Sequence, residues 1–467
     1  MIGEDVLYLT VGELAGRIRT HKLSPIELTE AYLARSEKIG AKLNAYATLT
    51  RERALREARA AEKEIAGGKY RGPLHGLPYA AKDLLAAKGY PATWGARPYA
   101  GQTFDYDAHV IRKLGEAGAI LIGKAAMIEL AGGMGYRYGT ASINGGAKNP
   151  WNETCWTCGS SSGSGAIASA ALAAFAIGTE TWGSIICPST YCGGSGLRPT
   201  FGRVGRSGAR ALSYTMDKIG PLTRSADDCA LVLQAIAGHD AGDSMSLPEH
   251  EARFSAGDGG GAPLRIGWVR NAWKEKDLNP EVAANTKSAR TVLERAGAKI
   301  VDVDIPEGPW EVAAGVTISV EGASAFDALI ESGRVSELAD PLSRIGGNIN
   351  ATIPGSDYVR AQRIRSIIQR KIDDVFDHVD VIASASLPVV ATPMDTNLET
   401  DLAFSDPMGG IGNFCGLPAL GVPSGFTSKN LPTGLQFLAR PLDDNKVVAA
   451  AKLFQSKTDW HRRRPPL

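Results

Sequence analysis

Two patterns of apolar and polar positions alternate along this chain. Longer segments that mix apolar and charged residues predict helices, and short continuous apolar runs predict buried strands. The predicted helices cover residues 24–39, 51–65, 108–117, 280–296 and 358–376. The predicted strands cover residues 79–83, 119–122, 264–269, 300–305, 379–383, 419–422 and 435–438. Helices that alternate with strands in this way predict an α/β fold, with a sheet that helices cover on both faces.

Local signals sharpen some of these boundaries. Ser24, Pro25 and Glu27 form a capping box with proline at the first helical position, which marks the start of the first helix. The small-residue segment 163–177 predicts a further helix that can pack close to a sheet. Residues 255–262 have the composition of a linker, but the α/β pattern resumes after them. We therefore expect one domain over residues 1–467, with this linker as a surface excursion.

Composition and charge narrow the function. The chain has 51 basic and 50 acidic residues and a net charge of +1, so it has no basic field that would attract nucleic acid or an anionic membrane. The longest apolar run, Ala166–Ile177, is interrupted by Ser169 and is too short to span a bilayer. The acidic N-terminus is unlike a signal peptide. We expect a soluble cytoplasmic protein that binds neither nucleic acid nor membrane.

The six cysteines are few for 467 residues. In a cytosolic chain we expect them to be mostly buried thiols. Cys155 and Cys158 have a C-x-x-C spacing, and Cys187 and Cys192 form a second close pair. A zinc site or a redox dithiol is the alternative, although no βαβ pattern surrounds the first pair and the second has the wrong spacing for a zinc knuckle. We expect no metal and no cofactor.

Three segments carry candidate chemistry. Lys82 follows a turn-rich stretch, and Ser160 and Ser184 lie in two stretches that are dense in glycine and serine. A nucleophilic hydroxyl needs a base that takes its proton and backbone N–H groups that meet the developing oxyanion. An ordinary lysine is protonated at pH 7, but burial lowers its pKa, and the residues around Lys82 are mostly apolar. These residues therefore suit a serine nucleophile with a neutral lysine as base.

The order and spacing of these motifs resemble the amidase signature family. The resemblance rests on Gly72–Asp83, Cys158–Ser164, Gly178–Ile185 and Gly196–Val204, and it extends from about Leu9 to Pro465. It implies an amidase signature fold with a large mixed central β-sheet covered by helices on both faces. It also implies a signature core at about 72–224 and a variable substrate-pocket region at about 310–410.

The resemblance assigns roles residue by residue. It implies the family's Ser–cis-Ser–Lys triad, with Ser184 as the nucleophile, Ser160 as the bridging serine on a cis peptide, and Lys82 as the base. It implies an oxyanion hole built from the backbone N–H groups of Thr181, Trp182, Gly183 and Ser184. By looser alignment it places substrate-binding residues at Gly132, Gly133, Met134, Ser161 and Ile186.

The chain departs from the commonest family pattern at Cys158, Ser162, Trp182 and Ile186. The A subunit of glutamyl-tRNA amidotransferase works with partner subunits. It keeps glycine at the position of Trp182 and arginine at the position of Ile186. The chain is therefore more similar to the stand-alone branch of amidases, aryl acylamidases and urethanases. Without arginine at position 186 we expect uncharged substrates. Trp182 either shapes the substrate site or is an ordinary core residue.

The resemblance thus implies a serine hydrolase that cleaves C–N bonds of apolar or aryl amides through a covalent acyl-enzyme. Carbamates and esters share the carbonyl chemistry and are further candidate substrates. The expected partner is a small molecule, and the expected assembly is a monomer or homodimer. The main alternative is the A subunit of a tRNA-dependent amidotransferase complex.

Two further interpretations are weaker. Residues 159–163 also match G-x-S-x-G, which would make Ser161 the nucleophile of an α/β-hydrolase, but no buried strand precedes the motif and no histidine has a matching context. A Ser/Gly loop at a helix N-terminus could instead bind phosphate, but the chain lacks the P-loop lysine motif.

Overall fold

The computed structural model describes residues 2–257, 263–402 and 405–467. Within them the chain forms thirteen β-strands and sixteen α-helices, with a few short 3₁₀ and π turns. The strands are β1 Tyr46–Leu49, β2 Pro78–Lys82, β3 Ile120–Ala125, β4 Lys148–Asn149, β5 Asn152–Trp156, β6 Phe175–Glu180, β7 Ser195–Arg198, β8 Lys218–Thr223, β9 Arg265–Val269, β10 Lys299–Val303, β11 Val381–Ala385, β12 Ala419–Phe426 and β13 Pro432–Leu438.

The helices lie between these strands and at both ends of the chain. They are α1 Glu4–Leu7, α2 Val11–Arg19, α3 Pro25–Arg35, α4 Arg51–Ala66, α5 His109–Glu116, α6 Ser162–Ser169, α7 Ile186–Cys192, α8 Ala226–Ile236, α9 Glu249–Ala252, α10 Pro280–Arg295, α11 Trp310–Ala325, α12 Asp327–Glu331, α13 Ser343–Asn350, α14 Gly355–Phe376, α15 Pro407–Phe414 and α16 Asp444–Gln455.

Eleven of the described strands form one mixed sheet. Their order is β1-β3-β2-β6-β8-β7-β12-β13-β11-β9-β10, and β4 pairs separately with β5. The pairs β3-β2, β2-β6, β11-β9 and β9-β10 are parallel, and the other pairs in the sheet are antiparallel. Helices flank the sheet: α4 packs on β3, α8 on β8, and α10 and α16 on β12. The sheet confirms the mixed α/β fold that the resemblance implied.

Most of the predicted elements are present with shifted ends. Ser24 caps α3, because its hydroxyl accepts hydrogen bonds from the backbone N–H groups of Ile26 and Glu27 at 3.1 and 3.2 Å. The predicted helix over residues 163–177 is wrong in its second half. Helix α6 ends at Ser169, and residues from Phe175 onward form β6. An apolar, alanine-rich run fits a buried helix and a buried strand equally well, and pairing with β2 and β8 decides for the strand.

Two sequence predictions fall partly outside the described residues. The predicted linker over residues 255–262 includes 258–262, and the variable region at about 310–410 includes 403–404, none of which the structure describes. Among the described helices, each is too short or too polar to cross a bilayer.

The position of the candidate site follows from the sheet order. Strands β2 and β6 are parallel neighbours, so that their carboxyl ends lie at the same edge of the sheet. Lys82 is the last residue of β2 and Glu180 the last of β6. Open α/β sheets bind ligands at this edge, outside the carboxyl ends of the strands.

Candidate active site

Lys82 is fully buried at the end of β2 and is surrounded by hydroxyl groups. Its Nζ donates hydrogen bonds to the Oγ atoms of Ser160 at 2.7 Å and Ser161 at 3.0 Å, and to Oγ1 of Thr179 at 2.9 Å. Burial lowers the pKa of Lys82 to about 7, although the negative charges of Asp217 and Glu180 act to raise it. The amine is therefore a base at neutral pH, which an exposed lysine is not.

Ser160 joins this lysine to Ser184. The peptide bond between Gly159 and Ser160 is cis. The Oγ atoms of Ser160 and Ser184 lie 3.1 Å apart, and both residues are buried. The hydroxyls of Ser184 and Ser160 and the amine of Lys82 thus form one continuous hydrogen-bonded path.

A buried ion pair fixes the turn that carries Ser184. The Glu180 carboxylate accepts hydrogen bonds from the backbone N–H groups of Ile185 at 2.8 Å and Ile186 at 3.0 Å. Arg198 Nη1 lies 2.7 Å from the other oxygen of Glu180. Burial alone would raise the pKa of Glu180, but the charge of Arg198 and the hydrogen bonds from Arg198 and Ile186 outweigh it and hold that pKa at about 2. The carboxylate therefore stays ionised and keeps the turn in place.

The segment before Ser184 presents unused backbone donors. Gly183 has a φ of +78°, a value that suits glycine. Among the described residues, the backbone N–H groups of Trp182, Gly183 and Ser184 donate to no other group. The hydroxyl of Thr181 donates to the Asp217 carboxylate, whose pKa burial raises. This is the geometry that an oxyanion site requires, with donors that are held in place and have no partner.

Trp182 is anchored at the start of α15. Its indole Nε1 donates to Asp406 Oδ2 at 2.9 Å, and burial raises the pKa of that carboxyl to about 6. A Cβ placed on Gly409 or Gly410 of α15 would lie 2.9 or 3.2 Å from the Trp182 ring system. The ring therefore packs flush against α15, and it remains partly exposed.

The residues predicted to bind substrate lie in different surroundings. Gly132 has a φ of +85°, and a Cβ on Gly133 would lie only 2.3 Å from Leu212. Both positions therefore need glycine for backbone or packing reasons. The Met134 side chain is buried, and its sulfur would lie 2.9 Å from a Cβ on Gly347 of α13.

Ser161 and Ile186 are also buried. The Ser161 hydroxyl accepts from Lys82 and donates to the backbone carbonyl of Thr179 at 3.1 Å. Ile186 belongs to an apolar cluster with Met408 of α15. Ser161 thus contacts the lysine, whereas the side chain of Ile186 contributes to the core.

A cavity of about 260 Å³ has Thr179 and Thr181 in its wall. Thr179 contacts Lys82, but Lys82, Ser160 and Ser184 are not among the described residues that line the cavity. The rest of its wall comes largely from residues 206–219, and Asp217 is part of it. None of the five residues predicted to bind substrate is among the described residues that line it. The cavity therefore lies on a different segment from the one that the sequence indicated.

The cysteines differ from the prediction. Cys158 and Cys187 form a disulfide. The bond therefore links one cysteine of the first close pair to one cysteine of the second. The expectation of mostly buried thiols is confirmed for four of the six cysteines and is wrong for these two. Cys155 and Cys158 are not a redox pair with each other. Cys155 and Cys192 are free and buried. In the described part of the chain, no group of three His, Cys, Asp or Glu side chains is arranged to hold a metal ion.

Sequence reasoning missed the supporting residues Thr179, Glu180 and Asp217. Thr179 and Glu180 lie inside a recognised motif, but the charged side chains that contact them, Lys82 and Arg198, lie outside it. Only the motif itself could have indicated them. Asp217 lies just before β8, within the span of the resemblance but outside the four motifs that carry it, and no role was assigned to it.

Comparison with known proteins decides the family. An amidase family model matches residues 27–448. The chain belongs to the amidase signature family. The A subunit of glutamyl-tRNA(Gln) amidotransferase from Geobacter metallireducens is 35% identical over an alignment that covers 98% of this chain and 99% of that protein.

Solved amidase structures support the same fold. The peptide amidase of Stenotrophomonas maltophilia matches with a TM-score of 0.85 and 30% identity, over 98% of each chain. A bacterial aryl acylamidase of the amidase signature family matches with a TM-score of 0.87 and 23% identity, over 99% of this chain and 100% of that one. At 23% identity this second match bears on the fold alone.

Membership of the amidase signature family supports an amide-hydrolysing enzyme. The relatives include one component of an amidotransferase as well as amidases. The amidotransferase alternative is therefore at least as well supported by the curated relatives as the stand-alone branch is. The family does not by itself select a substrate class.

Proposed function

We propose that this protein hydrolyses amides with Ser184 as nucleophile, Ser160 as proton bridge and Lys82 as base. One observation carries the proposal: the path from Ser184 through Ser160 ends on a buried lysine whose pKa is about 7. A serine hydroxyl becomes an effective nucleophile only when such a base takes its proton.

The proton follows that path in both directions. Ser184 Oγ forms a bond to the substrate carbonyl carbon, its proton moves to Ser160, and the proton of Ser160 moves to Lys82. The tetrahedral intermediate then breaks the C–N bond, and Lys82 returns the proton through Ser160 to the departing amine. Water attacks the resulting acyl-enzyme by the same route, which releases the acid and restores Ser184.

The oxyanion would be held by backbone N–H groups of the segment from Thr181 to Ser184. The absence of other partners for the last three of these donors supports that role within the described residues. The donors of Ile185 and Ile186 are already used by Glu180, so they are not part of the hole. Loss of one oxyanion donor typically costs about 2.7–4 kcal/mol in the transition state.

The proposed substrates are apolar or aryl amides, with carbamates and esters as further candidates. The test is a panel of a primary amide, an anilide, an ester and an aryl carbamate, with the purified chain alone. Ser184→Ala is expected to lose activity on every substrate that the wild type cleaves. The matched control is Ser164→Ala, because Ser164 is a buried serine whose hydroxyl donates to the Ile177 carbonyl, away from the path. Equal activity of Ser184→Ala and wild type would refute the nucleophile.

The second candidate is the amidotransferase component, and full-length identity of 35% favours it. It predicts release of ammonia from glutamine that depends on partner subunits, whereas the hydrolase predicts activity of the chain alone. Two local features favour the hydrolase. Trp182 and Ile186 replace the glycine and arginine of the amidotransferase A subunit, and both side chains pack into the same apolar cluster.

We also propose a small-molecule substrate, one domain over the whole chain, and a monomer or homodimer, which light scattering on the purified protein would test. The cytoplasmic location remains a proposal. The Cys158–Cys187 disulfide is an observation against it, since disulfides are rare in that compartment. Counting free thiols in protein trapped directly from cells would decide whether the bond forms there.

A further inference from the structure

One arginine in the wall of the cavity stands out. The Arg210 guanidinium carbon lies 4.8 Å from the ring centroid of Trp94 and 4.8 Å from that of Phe326. Both aromatic side chains are buried. Rings at this distance attract a guanidinium and restrict its orientation, so that its N–H groups remain available to a ligand.

Arg210 forms no contact with a carboxylate among the described residues, although the negative charge of Asp327 is near enough to raise its pKa against the effect of burial. Its side chain takes part in no hydrogen bond or ion pair there, and its Nε is buried without a partner. Its neighbour Arg206 is different, because Nε and Nη2 of Arg206 contact the two oxygens of Asp243 at 2.8 and 2.9 Å. Although burial lowers the pKa of Arg210, arginine stays charged in proteins. The wall of the cavity therefore includes a permanently charged arginine that has no hydrogen-bonded carboxylate among the described residues.

The remaining charges of the cavity do not change this conclusion. Asp217 accepts hydrogen bonds from Thr181 and from the backbone N–H groups of Leu212 and Ser213. Lys218 also has an Nζ without a partner among the described residues, but it is fully buried, and burial holds its pKa well below the ordinary value. Arg210 is the more persistent cation of the two.

The backbone ties Arg210 to the catalytic lysine. The N–H of Arg210 donates to the carbonyl of Leu84 at 3.1 Å, and Ala209 forms a β-bridge with Leu85. Leu84 is two residues beyond Lys82 and lines the same cavity. One wall of the cavity thus begins at Thr179, which contacts Lys82, and another carries Arg210.

We propose that Arg210 determines specificity by binding a carboxylate on an arm of the amide substrate. A carboxylate accepts two parallel hydrogen bonds from a guanidinium, whereas an uncharged carbonyl accepts fewer and weaker ones. A cavity of about 260 Å³ is smaller than the sites that enclose a drug-sized ligand, so it accepts one arm of the substrate. This inference rests on the proposed hydrolase function and replaces the expectation of uncharged substrates.

Two matched substrate pairs test it. In the first pair the acid is on the acyl side: succinyl-p-nitroanilide and 4-methylpentanoyl-p-nitroanilide, in which an isopropyl group replaces the carboxylate. In the second pair it is on the amine side: N-acetyl-4-aminobenzoate and N-acetyl-4-isopropylaniline. Values of kcat/KM are measured for wild type, Arg210→Gln and Arg210→Lys. The control is Arg270→Gln, because Arg270 is exposed and pairs with Asp304 after β9.

The wild type is expected to prefer the acidic member of one pair by about tenfold or more, in line with the strength of a charge-assisted contact. Arg210→Gln should lose that preference while its rate on the neutral member stays within about threefold of wild type. Arg210→Lys should retain part of the preference, and Arg270→Gln all of it. Thermal unfolding of each variant checks that it is folded.

The outcomes separate the two proposals. Hydrolysis of neutral substrates with no preference in either pair overturns the role of Arg210 and leaves the hydrolase intact. Equal slowing of both members by a folded Arg210→Gln also overturns it. If the wild type cleaves no member of either pair and no substrate of the broader panel, the proposed function fails, and the inference that rests on it fails as well.

Discussion

The pH dependence of hydrolysis tests the central feature of the site, the buried lysine. The reaction needs neutral Lys82, because only the neutral amine accepts a proton from Ser160. With a pKa of about 7, roughly one tenth of the enzyme is in that form at about pH 6 and roughly nine tenths at about pH 8. The value of kcat/KM should therefore rise about tenfold between these pH values and then level off.

An ordinary lysine predicts a different curve. With a pKa of about 10.4, the neutral fraction would rise about tenfold for each pH unit, so that the rate would increase about a hundredfold over the same interval without a plateau. The assay is the initial rate on the neutral 4-methylpentanoyl anilide at constant ionic strength from about pH 5.5 to pH 9.5. The use of a neutral substrate keeps its own titration out of the profile.

A charge variant separates Lys82 from other titrating groups. The charge of Asp217 raises the pKa of Lys82. In Asp217→Asn the rising part of the pH profile of kcat/KM, its acid limb, should therefore move to lower pH, whatever happens to the height of the plateau. The control is Asp304→Asn, which removes an exposed carboxylate that pairs with Arg270. A limb that continues to rise beyond about pH 9, or that moves upward in Asp217→Asn, would refute the assignment of Lys82 as the base.

Three further variants test the supporting contacts. Glu180→Gln leaves Arg198 buried without its counter-charge and should lower the free energy of unfolding in urea by about 3–5 kcal/mol; a loss under about 1 kcal/mol would contradict this. Asp83→Asn should also lower it, because Lys124 is fully buried and contacts Asp83 at 2.9 Å. A double variant with Lys124→Met should recover part of that loss, and equal losses would refute the pairing. Thr179→Val removes one hydrogen-bond acceptor from the charged amine of Lys82, so the acid limb of the pH profile should move to lower pH by about one unit. An acid limb at the same pH would argue against the contact.

Local signals account for what the sequence predicted well. Ser24 indicates the start of α3, because a capping hydroxyl bonds to backbone N–H groups no more than three residues away. The strands β9 and β11 are found because short apolar runs can be recognised without their partners. The prediction for the second half of segment 163–177 is wrong, because its alanines and Phe175 suit a helix as well as a strand. Pairing with β2 on one side and β8 on the other makes this part a strand.

Partners that are distant in sequence account for what could not be predicted. Lys82 and Ser160 are separated by 78 residues, and only the resemblance to a family brought them together in advance. The pairing of Cys158 with Cys187 cannot be read from cysteine spacing, since spacing does not fix connectivity. The stacking of Arg210 depends on Trp94 and Phe326, which come from two other parts of the chain.

The disulfide has a practical consequence for work on this protein. Cys158 and Cys187 close a covalent ring over a separation of 29 residues, and both Ser160 and Ser184 belong to that ring. A sample in which this bond is intact and a sample in which it has been reduced are therefore two different chemical species around the same pair of serines. Rates from two laboratories become comparable once each has titrated the thiols of its own preparation.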